Sequence, residues 1–171
     1  MKINFIKGDC TKPQGEGNKI IAHICNDIGA WGGGFVLAIS KKWKEPEIEY
    51  RKWHKNGLFN NTDVVCGNDN DEKRIFRRGN VQFVKVDNNL WVGNMIGQKN
   101  IISEFSSYPP IRYESVFECL EEVVRFAIKT NSSVHMPKIG CGLAGGKWDK
   151  IEPIILETLV KNNVKTFVYD F

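Results

Sequence analysis

Two stretches of this chain place a glycine-rich run where a strand hands over to a helix. In "HICNDIGAWGGGFVLAIS" (23–40) an apolar run ends in a polar knot, three glycines follow, and Phe35, Ile39 and Trp43 then recur at helical spacing. In "SVHMPKIGCGLAGG" (133–146) a buried-strand run gives way to a second glycine loop, and Ile151, Ile154, Ile155 and Leu159 continue as an amphipathic helix. Glycine between ordered elements carries an entropic cost, so its repeated use there points to a backbone that must approach a ligand closely. The amides at a helix N-terminus make phosphate the first candidate. Neither loop is a P-loop, because no Gly-Lys-Ser/Thr follows, and neither is the dinucleotide fingerprint of a first βα turn.

The remaining pattern fits the same architecture. "KINFI" (2–6) and "KIIAHI" (19–24) read as strands parted by the turn "KPQGEG". "EPEIEYRKWHK" (45–55) reads as a helix with Pro46 in its first turn. Residues 60–80 are polar and irregular. "VQFVKV" (81–86) and "LWVGNMI" (90–96) read as strands joined by a hairpin at Asp87, Asn88 and Asn89. Val116, Leu120, Val123, Val124, Ala127 and Ile128 form an apolar helical stripe, and "KTFVYDF" closes the chain as a strand. Strands alternating with helices predict an α/β fold with a mainly parallel sheet covered on both faces.

Composition removes several classes. The 171 residues suit a single domain, 1–171, with a core of its own. No apolar run approaches the roughly 20 residues that span a bilayer, and no signal peptide is expected ahead of the first strand, so no membrane partner is expected. Five cysteines, an odd number with no CxxC pair, speak against a zinc site or a disulfide framework and for reduced thiols in the cytoplasm. No His/Cys/carboxylate cluster has ligand spacing, so no metal and no cofactor are expected. A net charge of +4 suits an anionic small ligand and falls short of a dedicated nucleic-acid footprint. The basic stretch "KRIFRRGN" (73–80) is read as a solvated loop.

"GDCT" after the first strand, "HICNDIGAWGGG" after the second and "MPKIGCGLAGGKW" before the last helix resemble, in order and over nearly the whole chain, the macrodomain family. "GAWGGG" is similar to its ADP-ribose-1″-phosphate phosphatase branch, "MPKIGCGL" to its terminal ADP-ribose glycohydrolase branch, and "SVHMPKIG" with "NMIGQ" to a poly-ADP-ribose-reading branch. The resemblance implies a three-layer α/β/α sandwich with a central mixed sheet and an ADP-ribose cleft. By position it implies that Asp9 accepts from the adenine amine, Cys10 meets adenine through its backbone, and Asn26, Gly32, Gly33 and Gly34 wrap the distal ribose and one phosphate. Gly140, Cys141, Gly142, Leu143, Ala144 and Gly145 cradle the other phosphate.

Where the glycohydrolase branch has a catalytic lysine and aspartate, this chain has Gln98 and Ala144, which can neither form a Schiff base nor transfer a proton. His23 and Asp27 at the first loop, and Lys99 beside Gln98, are the remaining candidates for acid–base or nucleophilic work. Trp31 is a candidate to shield the distal ribose, and Phe171 with Asp170 to border the adenine pocket. The expected function is ADP-ribose binding with hydrolysis at the distal ribose of a phosphate ester, an acyl ester or an ADP-ribosylated macromolecule. The alternative is a non-catalytic reader. Nucleic acid is expected only as an ADP-ribosylated substrate, and the chain is expected to be a monomer.

Overall fold

A computed structural model describes residues 1–102 and 108–170. Seven strands form one sheet in the order β1-β7-β6-β2-β5-β4-β3. They are β1 (Asn4–Lys7), β2 (Asn18–Asn26), β3 (Val65–Cys66), β4 (Val81–Asp87), β5 (Leu90–Gln98), β6 (Ser132–Pro137) and β7 (Thr166–Asp170). The pairs β1·β7, β7·β6, β6·β2 and β2·β5 are parallel; β5·β4 and β4·β3 are antiparallel. The sheet is therefore mixed and mainly parallel, as the alternating pattern predicted.

Four helices cover it: α1 (Phe35–Lys42), α2 (Glu45–Asn56), α3 (Tyr113–Thr130) and α4 (Trp148–Ile155). Consecutive strand residues divide between two cores. Ile20, Ala22, Phe83 and Met95 pack with α3 and α4, while Ile21, Val84 and Ile96 pack with Ile39 of α1 and Tyr50 and Trp53 of α2. Both faces of the central strands are buried, and the result is the three-layer α/β/α sandwich.

Local chemistry sets the helix ends. Pro46 sits in the first turn of α2, where its missing N–H costs nothing, and Gly57 closes that helix in the left-handed conformation. The last helix runs into a π-turn, Leu156–Val160, sealed by the Lys161 N–H donating to the Leu156 carbonyl. The sequence pattern did not predict that turn, nor the two-residue edge strand β3.

The parallel strands β1, β7, β6, β2 and β5 all end at the same edge of the sheet. Adjacent strands β6 and β2 then send the chain to opposite faces, β2 into α1 and β6 into α4. A crevice opens where neighbouring connections diverge in this way, and both glycine loops border it.

Candidate functional site

The crevice lies between the loop after β2 (residues 26–34), the turn after β5 (98–102) and the loop after β6 (138–146). Two connected cavities fill it. One, of about 200 Å³, is bordered by Gly33, Gly34, Phe35, Lys138, Gly140, Gly142 and Ala144. The other, of about 370 Å³, is bordered by Asn26, Gly32, Gly33, Gln98, Ile101 and Ile102. Leu143 lines both and leans over Gly33.

Asn26 organises the first loop. The β2–β5 register slips between Cys25 and Asn26, which frees the chain to turn. The Asn26 Oδ1 accepts from the Ile28 and Ala30 amides at 3.0 Å each and from the Tyr50 hydroxyl at 2.9 Å, while its Nδ2 donates to the Ala30 carbonyl at 2.7 Å. Gly34, at φ 78° and ψ −147°, then aims the N-terminus of α1 at the crevice without a side-chain cap. Gly33 does not have a left-handed φ.

The second loop folds on itself. The Cys141, Gly145 and Gly146 amides donate to the carbonyls of Lys138, Gly142 and Gly140. Gly140 has no room for a Cβ against Ile111, and Gly146 none against the Gly140 carbonyl. Among the described residues, the amides of Gly33, Gly34 and Phe35 on one loop, and of Gly142, Leu143 and Ala144 on the other, have no acceptor. Unpaired amides on two loops that border one cavity, one set at a helix N-terminus, are suited to receive an anion.

Asp9 sits in the turn after β1, which the Gly8 amide ties to Asp170 at the end of β7. Its Oδ1 accepts from the Thr11 amide and hydroxyl at 2.9 and 2.7 Å, and these bonds lower its pKa. One carboxylate oxygen thus closes the turn. The Cys10 thiol is buried, so only its backbone could meet a ligand. Phe171 lies outside the described residues.

Four expected side chains are placed differently. His23 borders the smaller cavity from within the sheet but is only 1% exposed. Its Nε2 bonds Asn94 Oδ1 at 2.6 Å, and Asn94 in turn donates to Gln82 and to the Pro46 carbonyl. Burial pushes its pKa down to about 4, opposed by the Asn94 bond, so it is neutral at pH 7 and anchors α2 to the sheet. Trp31, 5% exposed, packs edge-on against His23 with its indole donating to Ser40, so it is core and not a ribose shield. Asp27 lines neither cavity, and its carboxylate bridges the Asn100 amide (2.6 Å) and Arg78 (3.2 Å). Lys99 is exposed and borders neither cavity, its amide donating to Pro110.

Arg78 also corrects the reading of residues 73–80 as a solvated loop: Lys73 pairs with Glu122, Arg74 with Asp71 and Arg78 with Asp27. The lining residues that the sequence did not single out include Ile24, Cys25, Val36, Ile101, Ile102 and Lys138. The apolar pair Ile101-Ile102 inside the polar run "GQKNII" was the available signal. Among the described residues no three His, Cys, Asp or Glu side chains converge as a metal site. No helix among them is long and apolar enough to cross a membrane. All five cysteines are free thiols.

An α/β/α sandwich with unpaired amides gathered at its topological switch point defines the class of protein, and comparison with known proteins narrows it. No family model matches the chain. A solved macrodomain protein from Streptomyces coelicolor is 40% identical, with a TM-score of 0.80 and 99% of both chains covered. A protein of unknown function from Bacteroides thetaiotaomicron is 51% identical, with a TM-score of 0.87 over 100% of this chain and 99% of that one. The chain belongs to the macrodomain family. Among curated relatives, mouse chromodomain-helicase-DNA-binding protein 1-like is 29% identical over 99% of this chain, which spans only 18% of that protein's length. The ADP-ribose 1″-phosphate phosphatase of Lodderomyces elongisporus is 25% identical over 99% of this chain and 100% of its own.

Proposed function

We propose that this protein, as one macrodomain spanning residues 1–171, binds ADP-ribose in the crevice and hydrolyses a bond at the distal ribose of an ADP-ribose derivative. The observation that carries the reading is the two sets of unpaired amides bordering one cavity, which suit a diphosphate better than a single phosphate. In this reading Asp9, acceptor-only when ionised, takes the adenine amine, and the Cys10 backbone lies beside the base. Gly33, Gly34 and Phe35 hold one phosphate; Gly142, Leu143 and Ala144 hold the other. Asn26 shapes the distal-ribose pocket through the loop it organises, and Gln98, whose Oε1 has no donor among the described residues, orients water there. The hydrolytic half draws support from relatives named ADP-ribose 1″-phosphate phosphatase that match along nearly their whole length. The five free thiols suit a cytoplasmic setting, and a monomer is sufficient to complete the crevice.

One observation favours a second reading, a reader that binds without turnover. Among the described lining residues the ionisable side chains are buried His23, Cys25 with its thiol pushed far up by burial, and Lys138; no carboxylate is present. The experiment is a panel of ADP-ribose, ADP-ribose-1″-phosphate, O-acyl-ADP-ribose and ADP-ribosylated protein and nucleic acid. Calorimetry reads binding and chromatography reads product. No heat with ADP-ribose at millimolar concentration sinks the whole reading, whereas heat without product from any member leaves the reader.

A further inference from the structure

We propose that the molecule carries a second ligand site, a basic groove outside the crevice, and that this groove takes single-stranded nucleic acid. The groove, about 490 Å³, lies between the segment joining β1 to β2, the corner between α1 and α2, and the β4–β5 hairpin. Lys12, Lys19 and Lys42 line it, with Trp43 and the hairpin residues Asp87, Asn88 and Asn89. It shares no lining residue with either cavity of the crevice. Lys19 lies at the start of β2 and Asn26, at the crevice, ends it; the seven residues from one to the other span about 23 Å of extended chain. The inference does not rest on the ADP-ribose reading.

The net charge of +4 is small, but it is unevenly spread. The basic run at 73–80 is neutralised, since Lys73, Arg74 and Arg78 each pair with a carboxylate. Among the described residues Lys12, Lys19 and Lys42 pair with none. Lys42 donates to the Thr11 carbonyl at 2.8 Å and Lys19 to the Gly17 carbonyl at 3.4 Å, which orients the amines without cancelling their charge. Asp87 is the one carboxylate among the lining residues. Three ammonium groups around one groove repel one another, and a bound polyanion relieves that repulsion.

The rest of the lining narrows the anion. Lys42 holds its ammonium 5.4 Å from the Trp43 ring centroid, so charge and aromatic surface lie together. Trp43 is half-buried and fixed at the end of α1, where its amide donates to the Ile39 carbonyl. An aromatic ring beside a cationic track is how single strands are held, with phosphates on the amines and a base on the ring. Asn88 and Asn89 add amides able to bond base edges. Inorganic phosphate would use none of the aromatic surface. The lysines come from separate segments, and each is a point charge on a flexible stem rather than a bidentate fork. They suit the successive phosphates of a strand better than one phosphate clamped in place.

The test is the fluorescence anisotropy of a labelled oligothymidylate on the full chain over a range of salt concentrations. Thr11, at one edge of the groove, adjoins the Asp9 turn, and thymine has no adenine amine to offer that turn. Three phosphate contacts predict that log affinity falls against log salt with a slope of about −2. Lys12→Gln and Lys19→Gln should each reduce that slope by about 0.7 and leave the chain folded. Trp43→Leu should weaken binding by roughly 5- to 100-fold, and Trp43→Phe, which keeps a stacking face, should restore most of it. Saturating ADP-ribose should not displace the strand. No anisotropy change at low salt, or a slope that ignores both lysine variants, overturns the proposal. Displacement by ADP-ribose would put the strand in the crevice and overturns it too. Thymidine monophosphate binding as tightly as the oligomer would assign the groove to a free nucleotide. Polyglutamate displacing the oligomer as well as unlabelled strand does would assign it to an acidic protein segment. Either result overturns the nucleic acid.

Discussion

In the proposed reading Asp9 would serve two duties: its Oδ1 closes the turn through Thr11, which leaves the other oxygen for a ligand amine. Asp9→Ala removes both, and losing an acceptor of this charged kind costs about 1.5–3 kcal/mol, or roughly 10- to 100-fold in ADP-ribose affinity. Asp9→Asn keeps an oxygen for Thr11 but puts an amide donor against the ligand amine. It should bind as poorly as Asp9→Ala by calorimetry while melting at the parent temperature. The buried histidines act on stability. His135, bonded to Ser133 and Tyr169, has its pKa pushed down to about 3 by burial, with Lys19 and Lys165 adding to the effect, and His23 lies at about 4. Both values are below the ordinary 6.5, so the unfolded chain takes up protons first. The stabilisation is complete above pH 6.5 and falls as the pH drops towards 4, with a limiting slope of about 2.7 kcal/mol per pH unit for two protons. Urea midpoints between pH 7.5 and 5 should drop accordingly, and His23→Gln should about halve the slope. The position of His23 could not be read from the sequence for a definite reason. Ile20, Ile21 and Ala22 are all fully buried, so strand alternation gave no sign of which face, or which end, a neighbouring side chain meets.

At the scale of elements, the glycines divide by what the backbone asks of them. Gly34 adopts a φ/ψ combination that is essentially reserved for glycine, and it starts α1. Gly33 has no such constraint, and a Cβ there meets only the tip of Leu143 at 2.9 Å. Gly34→Ala should therefore cost about 1–3 kcal/mol in denaturant unfolding and also lose ligand. Gly33→Ala should unfold like the parent, so any loss of ADP-ribose affinity reports on the loop's approach to phosphate alone. Equal destabilisation in the two variants would remove the distinction. The strands and the long helix α3 were legible because β-branched runs and a clean apolar stripe carry them. β3 was not, since two residues held by Val84 and Phe83 leave no periodicity. The π-turn after α4 was also hidden: Leu159 keeps the apolar spacing of an ordinary helix although the hydrogen bonding has changed. The glycine loops were recognisable as a pair, but the apolar chamber beside them was not. It is assembled from residues 24, 30, 36, 101, 102 and 143, far apart in the chain, and only the sheet topology brings them together.

For the whole molecule, the crevice is built from segments at the ends of three different strands, so a ligand filling it ties together elements on both faces of the sheet. Ligand that binds only the folded chain stabilises it by about 2.7 kcal/mol at a hundred times Kd. For a domain of this size each kcal/mol moves the midpoint by about 2–4 °C, so saturating ADP-ribose should raise Tm by roughly 5–11 °C. AMP has one phosphate and no distal ribose. It can engage the Asp9 turn and one amide row but not both, and its shift at equal concentration should be a small fraction of that value. The cradle consists of backbone amides, and no cluster of metal-binding side chains occurs among the described residues, so a chelator should leave the ADP-ribose shift unchanged. Scanning fluorimetry with and without EDTA measures all three. A shift that disappears with EDTA would mean that a cation, not the two glycine loops, neutralises the diphosphate. An AMP shift as large as that of ADP-ribose would mean that the second loop contributes nothing to binding.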